Sequence, residues 1–127
     1  MDMKARILLI DDSKILRTML GKIVERAGHE VAGYGEDGVQ GLTLFLSTKP
    51  DFTLMDVTMP NMSGKECLEE ILKHSPNAKV IMISGLADPE IEKECLRLGA
   101  KAFISKSDLT SSGALEKQLN EVLKKFQ

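Results

Sequence analysis

Residues 54–64 read LMDVTMPNMSG, and the apolar run that enters this stretch ends on a single acid, Asp56. The run from Phe52 to Met55 follows a breaker cluster, KPD, and is too short for a helix of ordinary length, so it predicts a buried strand. Pro60 turns the chain, and Ser63 begins an S-x-x-E capping box that starts the next helix. The stretch therefore predicts a strand, a loop and a helix start around one carboxylate.

The same alternation of apolar strand and amphipathic helix continues on both sides of this stretch. Short continuous apolar runs predict strands, and apolar residues that recur at helical spacing predict helices. Five such alternations predict an α/β fold whose parallel sheet is joined by right-handed crossovers. The predicted strands are Arg6–Ile10, His29–Tyr34, Phe52–Met55, Ala78–Ile83 and Lys101–Ser105.

We expect a single domain over residues 1–127, because a chain of this length can bury one real core but not two. The expected fold class is α/β, a flavodoxin-like doubly wound (βα)5 domain with a five-stranded parallel sheet in the order 2-1-3-4-5. The second strand has only modest apolar content, which is consistent with a place at the sheet edge.

The first two predicted helices have apolar faces that can be read from the sequence. Ser13 can cap the first helix, and Ala27-Gly28 closes it. In the second, from Asp37 to Ser47, two glycines each cost about 1 kcal/mol of helix propensity relative to Ala, which predicts a locally weak helix. The expected core positions are Ile15, Leu16, Met19, Leu20, Ile23 and Val24 in the first helix, and Val39, Leu42, Phe45 and Leu46 in the second.

The composition excludes several classes of function. Lys and Arg number 17 against 19 Asp and Glu, so the chain has no general attraction to nucleic acid or to an anionic membrane. No run approaches the roughly 20 apolar residues of a transmembrane helix, and we expect a soluble, cytoplasmic protein. Cys67 and Cys95 occupy apolar positions of two predicted helices, without metal-ligand spacing, and are expected to be reduced core thiols.

Polar residues follow four of the five predicted strands: Asp11 and Asp12, then Asp56, Ser84 and Lys106. In open α/β sheets, ligands bind beyond the carboxyl ends of the strands. In the order 2-1-3-4-5 the first and third strands are neighbours, so the three aspartates converge. A single Asp at a strand end is usually only a helix cap, but the common position of all five residues indicates a site.

Three crowded carboxylates repel one another, so the site must either raise a pKa or bind a cation. Oxygen ligands without His or Cys favour Mg²⁺, which often also holds a phosphate. Lys106 would supply a fixed positive charge and Ser84 a hydrogen-bond donor. These groups suit phosphoryl transfer, with Asp56 as the nucleophile that forms an aspartyl phosphate.

Five motifs occur in order along the chain: ILLIDDS at 7–13, PDFTLMD at 50–56, MPNMSG at 59–64, SG at 84–85 and GAKAFISK at 99–106. Together they resemble the receiver domain of two-component response regulators over essentially the whole chain. The resemblance implies a switch rather than an enzyme, although it would catalyse its own phosphorylation and dephosphorylation.

The resemblance also implies a role for each site residue. Asp56 would accept a phosphoryl group from a histidine kinase, a histidine phosphotransfer protein or a small phosphodonor. Asp11 and Asp12, with Asp56 and the main-chain carbonyl of Thr58, would hold Mg²⁺. Ser84 and Lys106 would bind the phosphoryl oxygens.

Phe103 resembles the switch aromatic of the family. A phosphoryl group adds roughly −1.5 to −2 charge, and if Ser84 moves to donate to it, the ring of Phe103 can enter the space that Ser84 leaves. We expect this repacking to change the surface of the fourth helix, fifth strand and fifth helix, including Ile91, Glu92 and Lys101. That surface would bind a downstream protein partner.

Two positions depart from the family pattern. Most members have proline after the site lysine, in a bond that is typically cis, whereas Ser107 follows Lys106 here. A non-proline cis bond costs about 2.5 to 4 kcal/mol, which favours a trans bond. Leu86 lies two residues beyond Ser84, where an apolar side chain cannot orient water toward the phosphoryl group, so we predict slow self-dephosphorylation.

The leading interpretation is a stand-alone, chemotaxis-type response regulator or phosphorelay intermediate. The alternatives are the receiver segment of a larger regulator and a degenerate receiver that binds partners without phosphorylation. A phosphohydrolase of the haloacid dehalogenase type is disfavoured, because that class carries its nucleophile in a DxD after the first strand, whereas the acids here are adjacent.

Overall fold

The computed structural model describes residues 4–85, 88–106 and 113–126. Strands and helices alternate along the chain as the sequence predicts, and most boundaries fall within two residues of the predicted ones. The strands are β1 (Arg6–Ile10), β2 (Glu30–Gly35), β3 (Phe52–Asp56), β4 (Val80–Ser84) and β5 (Ala102–Ser105). The helices are α1 (Lys14–Arg26), α2 (Gly38–Thr48), α3 (Gly64–His74), α4 (Pro89–Leu98) and α5 (Ala114–Lys125).

The five strands form one parallel sheet in the order β2-β1-β3-β4-β5, which confirms the predicted fold class and places β2 at an edge. The register keeps the carboxyl ends of the strands nearly level. Ile10 of β1 pairs with Met55 of β3, and Asp56 pairs with Ile83 of β4. The residues at the carboxyl ends of β1, β3, β4 and β5 therefore meet at one edge of the sheet.

The sheet has a hydrophobic core on each face. Alternate residues of β1 point to opposite faces, as the pleat requires: Ile7 and Leu9 pack with α1 and α5, whereas Leu8 and Ile10 pack with α2, α3 and α4. Both faces of the central strands are thus covered, which is why these strands read as continuous apolar runs.

The caps that the sequence predicts at Ser13 and Ser63 are confirmed. Ser13 Oγ accepts a hydrogen bond from Leu16 N at 3.3 Å, and Ser63 forms a capping box with Glu66. Asp88 caps α4, with Pro89 as its first residue, and Gly99 ends that helix with a φ of 119°. Such a left-handed conformation is one that glycine adopts without strain.

The predicted core faces of α1 and α2 are partly wrong. Ile15 is 74% exposed, and Met19, Val39 and Leu46 are also exposed. Only a narrow stripe of each helix reaches the sheet: Met19 lies about 100° around the helix from the buried Leu20. Ile15 lies in the first turn of α1, just beyond the carboxyl end of β1.

The two glycines of α2 permit a close approach between the helix and its neighbours. A Cβ on Gly41 would lie 2.6 Å from Ile10 Cδ1, and a Cβ on Gly38 would lie 2.7 Å from Met62 Cβ. Both distances are shorter than real side chains allow. Glycine at these positions therefore lowers the helix propensity of α2 but permits tight packing against its neighbours.

Cys67 and Cys95 are free and buried, as the sequence predicts. Burial, followed by the charges of Asp37 and Glu70, raises the pKa of Cys67 to about 12. The thiol therefore stays protonated at neutral pH. Among the described residues, no helix is both long and apolar enough to cross a membrane.

Candidate functional site

Asp11 is held at the carboxyl end of β1 by contacts from three directions. Its backbone N–H donates to Gly35 O at 3.0 Å, and its carbonyl accepts from Arg17 Nη1 at 2.6 Å. Its Oδ1 accepts from the backbone N–H of Ser13 at 2.9 Å. The carboxylate, only 1% exposed, is thereby turned toward the sheet edge.

Asp56 is the last residue of β3 and is 5% exposed. The chain directly after it is also fixed, because Val57 N donates to Ile83 O at 3.0 Å. Asp56 Oδ1 accepts a long hydrogen bond of 3.4 Å from the backbone N–H of Thr58. This second carboxylate therefore sits on a rigid strand end beside the first.

Lys106, directly after β5, joins the two carboxylates. Its Nζ lies 3.0 Å from Asp11 Oδ2 and 3.1 Å from Asp56 Oδ2. Ser84, which ends β4, is buried and pairs in register with Ser105, the residue before Lys106. The structure thus brings the predicted residues of four strands together at one edge.

Asp11 Oδ2 is a buried oxygen that pairs with a cation. Among the described residues, its close polar partner is Lys106 Nζ, 3.0 Å away. A carboxylate oxygen can accept more than one contact. This oxygen therefore remains available to a cation that enters the site.

Asp11, Asp12 and Asp56 can each direct one carboxylate oxygen into a common space, and these oxygens lie within 4.8 Å of one another. Asp11 and Asp56 are buried, whereas Asp12 is exposed. An all-oxygen donor set of this size suits a hard divalent cation such as Mg²⁺, with water in the remaining positions.

The electrostatics of the site are strained. Burial, followed by the negative charge of Asp11, raises the pKa of Asp56, and Lys106 offsets this only in part. Burial alone would lower the pKa of Lys106, but its contacts with Asp11 and Asp56 outweigh burial and raise it. The lysine therefore stays charged. Its single positive charge does not balance the three carboxylates.

Phe103 lies in β5, opposite Met82 of β4, and is partly buried against the core shared by α2, α3 and α4. The partial burial of Phe103 is therefore explained at least in part by ordinary packing in the core. Leu86 and Ser107 lie outside the described residues. The prediction of slow dephosphorylation and the prediction of a trans bond after Lys106 both fall there.

Sequence reasoning missed Arg17. Its side chain is largely buried, and it reaches back to Asp11 O while Nη2 lies 3.8 Å from Glu36 Oε1. The signal was present: position 17 shares a helix face with Leu20 and Val24, so a charged residue there had to find a partner.

The family profile of the response regulator receiver domain matches residues 7–119, so the chain belongs to that family. Receivers are in general non-enzymatic switches that bind Mg²⁺ at an acidic pocket. The pocket of this chain contains the carboxylates described above.

Among receivers, the chain is similar to chemotaxis proteins. It is 40% identical over 104 residues to the chemotaxis protein CheY of Thermotoga maritima, covering 82% of this chain and 87% of that protein. It is 43% identical to CheY of Treponema pallidum, with 80% and 72% covered.

Solved structures agree with this relationship. The response regulator domain of Thermotoga maritima CheB matches with a TM-score of 0.81 at 35% identity, covering 98% of this chain and 94% of that one. A chain in the CheX–CheY–BeF3–Mg complex of Borrelia burgdorferi matches with a TM-score of 0.84 at 30% identity, with 94% and 87% covered.

Proposed function

We propose that this receiver accepts a phosphoryl group on Asp56 from a histidine kinase or histidine phosphotransfer protein. The observation that carries the proposal is the contact of Lys106 Nζ with both Asp11 and Asp56 at the carboxyl edge of the sheet. This contact supports the proposal, because a carboxylate that could act as the nucleophile, a cation and a second acid then lie side by side. The BeF3 and Mg bound in the similar Borrelia complex support the same chemistry.

Asp56 is suited to the role of nucleophile. One of its oxygens would attack the phosphorus of a phosphohistidine, the phosphorus–nitrogen bond would break, and the imidazole would leave and take up a proton. Lys106 would neutralise charge on the phosphoryl oxygens, and Ser84 would donate a hydrogen bond to one of them. Positioning and charge neutralisation therefore do most of the work.

The residues present fit Mg²⁺. The buried carboxylates of Asp11 and Asp56 share a single lysine, and oxygens of all three carboxylates lie within 4.8 Å of one another. We infer that Asp11, Asp12 and Asp56, with the Thr58 carbonyl, would hold the ion. When bound, Mg²⁺ would supply a positive charge that brings the phosphoryl group and the carboxylates together.

An exposed apolar flank on α1 supports docking of a protein phosphodonor. Ile15 and Met19 lie one turn apart, in the helix that begins directly after Asp11 and Asp12. A protein that presents a phosphohistidine to Asp56 must approach this edge, and neighbouring exposed apolar side chains there can contribute to a contiguous contact patch. Ile15→Glu should slow transfer from a protein donor but not from acetyl phosphate.

We propose that the output surface is formed by α4, β5 and α5. Leu96 and Lys101 are exposed on it, and Phe103 is only partly buried. Movement of Ser84 toward the phosphoryl group would open space for the Phe103 ring and change this surface. In an NMR titration with beryllofluoride and Mg²⁺, amide shifts at Ile91, Lys101 and Phe103 should move; unchanged shifts there would count against this surface.

The decisive experiment is incubation with acetyl phosphate and Mg²⁺ followed by intact mass spectrometry. The parent protein should gain one phosphoryl group and Asp56→Asn should gain none. Asp88→Asn is the matched control, because it removes a carboxylate but keeps a good helix cap. No gain in the parent with any donor would favour a receiver that binds partners without phosphorylation.

We further propose that the chain acts in the cytoplasm as a stand-alone, CheY-like regulator. The alternative is the receiver segment of a larger regulator. A specific observation keeps it open: the chain is 35% identical to the protein-glutamate methylesterase/protein-glutamine glutaminase of Thermotoga maritima, but it matches only 37% of that protein's length. The length of the natural gene product distinguishes the two.

A further inference from the structure

The loop after Asp56 is fixed to α2, an element that the phosphorylation chemistry does not otherwise use. This loop, residues 57–63, begins at the end of β3 and ends at the cap of α3. Asn61 Nδ2 donates to Asp37 Oδ2 at 2.7 Å across 24 residues of sequence. The N-terminus of α2 therefore holds the middle of the loop.

Asp37 makes two separate contacts with its two oxygens. Oδ1 caps α2 by accepting from Gln40 N at 2.8 Å, while Oδ2 accepts from Asn61. These hydrogen bonds, with the bond to Gln40 as the largest contribution, lower the pKa of Asp37. The carboxylate thus stays ionised at neutral pH and both contacts persist.

The packing beside this hydrogen bond leaves no space. Gly38 is buried, and a Cβ there would meet Met62 at 2.7 Å. Asn61 has a φ of 66°, in the left-handed region that asparagine tolerates better than most residues. The loop ends are also fixed, because Gly64 N donates to Val57 O at 2.8 Å. The bond between the loop ends and the contact of the middle of the loop with α2 together hold the loop backbone.

We propose that Asp37 and Asn61 are positioning residues for the Mg²⁺ site, an inference that rests on the proposed function. The loop that they hold carries Thr58, whose main-chain carbonyl is the expected ligand. Releasing the middle of the loop would let that carbonyl sample positions away from the ion. Groups that hydrogen-bond directly to a metal ligand typically contribute about 10- to 100-fold to metal affinity, and we expect the low end of that range here because Asn61 lies three residues from Thr58.

The chain offers a matched pair of substitutions. Asp37→Ser keeps a helix-capping oxygen but removes the acceptor for Asn61. Asp37→Asn keeps the cap and can still pair with Asn61, because a rotated Asn61 amide presents its oxygen to the new NH₂ group. Val39→Ala is a control in the same turn, since that side chain is exposed. Comparing these variants separates loop positioning from helix stability.

The test is an amide NMR titration with Mg²⁺ alone, together with hydrogen exchange of the Thr58 and Met59 amides without the ion. Asp37→Ser should weaken Mg²⁺ binding about tenfold and speed exchange in the loop, while Asp37→Asn and Val39→Ala stay near the parent. Unchanged affinity and exchange in Asp37→Ser, with normal binding by the parent, would overturn the inference alone. A parent that binds no Mg²⁺ would overturn the proposed function and this inference with it.

Discussion

Polar residues lie at both ends of the strands, here called the amino edge and the carboxyl edge of the sheet. The two sets differ in how their charges and hydrogen bonds are balanced. At the amino edge, Arg6 N donates to Asp51 Oδ2 at 2.8 Å, and Ala5 N donates to the buried His29 Nδ1 at 3.0 Å. At the carboxyl edge, the buried carboxylates of Asp11 and Asp56 share one cation, Lys106, and the pKa of Asp56 is raised. Polar groups that satisfy one another stabilise the fold, whereas groups that remain strained are the candidates for binding.

The largest effect is expected when one carboxylate is removed from the carboxyl edge of the sheet. Asp11→Asn should keep the size of the side chain and the bond from Ser13 N but weaken Mg²⁺ binding by at least about a hundredfold, since loss of a direct ligand should exceed the loss of an indirect one. Isothermal titration calorimetry can measure the change. If the affinity falls less than tenfold, Asp11 does not hold the ion.

The second prediction concerns stability without metal. Because the pKa of Asp56 is raised in the folded state, its ionised form is destabilising above that pKa, and this penalty disappears as the pH falls through it. Asp56→Asn should therefore unfold at a higher urea concentration than the parent at pH 7 in EDTA, by about 1.4 kcal/mol for each pH unit that separates the folded and unfolded pKa values of Asp56.

The pH dependence provides the check on that interpretation. Well below pH 3.9, where the carboxyl is protonated even in the unfolded chain, the advantage of Asp56→Asn should vanish. An advantage that stays constant with pH would mean that the substitution acts through packing rather than charge. Urea unfolding at a series of pH values distinguishes the two.

The smallest effect is expected at the satisfied edge. Asp51→Ala removes the acceptor for Arg6 N, an exposed contact, and should lower the free energy of unfolding by about 1 kcal/mol. Its Mg²⁺ affinity should equal that of the parent. A change in the Mg²⁺ affinity of Asp51→Ala would contradict the proposal that only the carboxyl edge takes part in binding.

The strands and the site could be predicted for a common physical reason. A central parallel strand is buried on both faces, so it appears as an uninterrupted apolar run, and its end is marked by the first polar residue. This marks Asp11, Asp56 and Ser84 without any knowledge of the fold. The parallel arrangement then brings these ends together.

Other features depend on distances that sequence patterns do not contain. Ile15 has the helical spacing of a core residue, yet it lies beyond the sheet and is exposed. Gly41 looks like a weakness in α2 until its approach to Ile10 is known. The bond between Asp37 and Asn61 joins two loops that only the folded chain brings together.

The buried thiol of Cys67 can be used to measure how often the packing between α2 and α3 opens. Its Sγ lies 3.4 Å from Gly38 O, inside the contact between α2 and α3, where burial raises the pKa of the thiol to about 12 and keeps it in the unreactive protonated form. Alkylation of Cys67, followed separately from the second buried thiol Cys95, requires the packing around it to open. The labelling rate of Cys67 therefore sets an upper limit on how often α2, the helix that holds the loop after Asp56, separates from α3, in a chain without tryptophan.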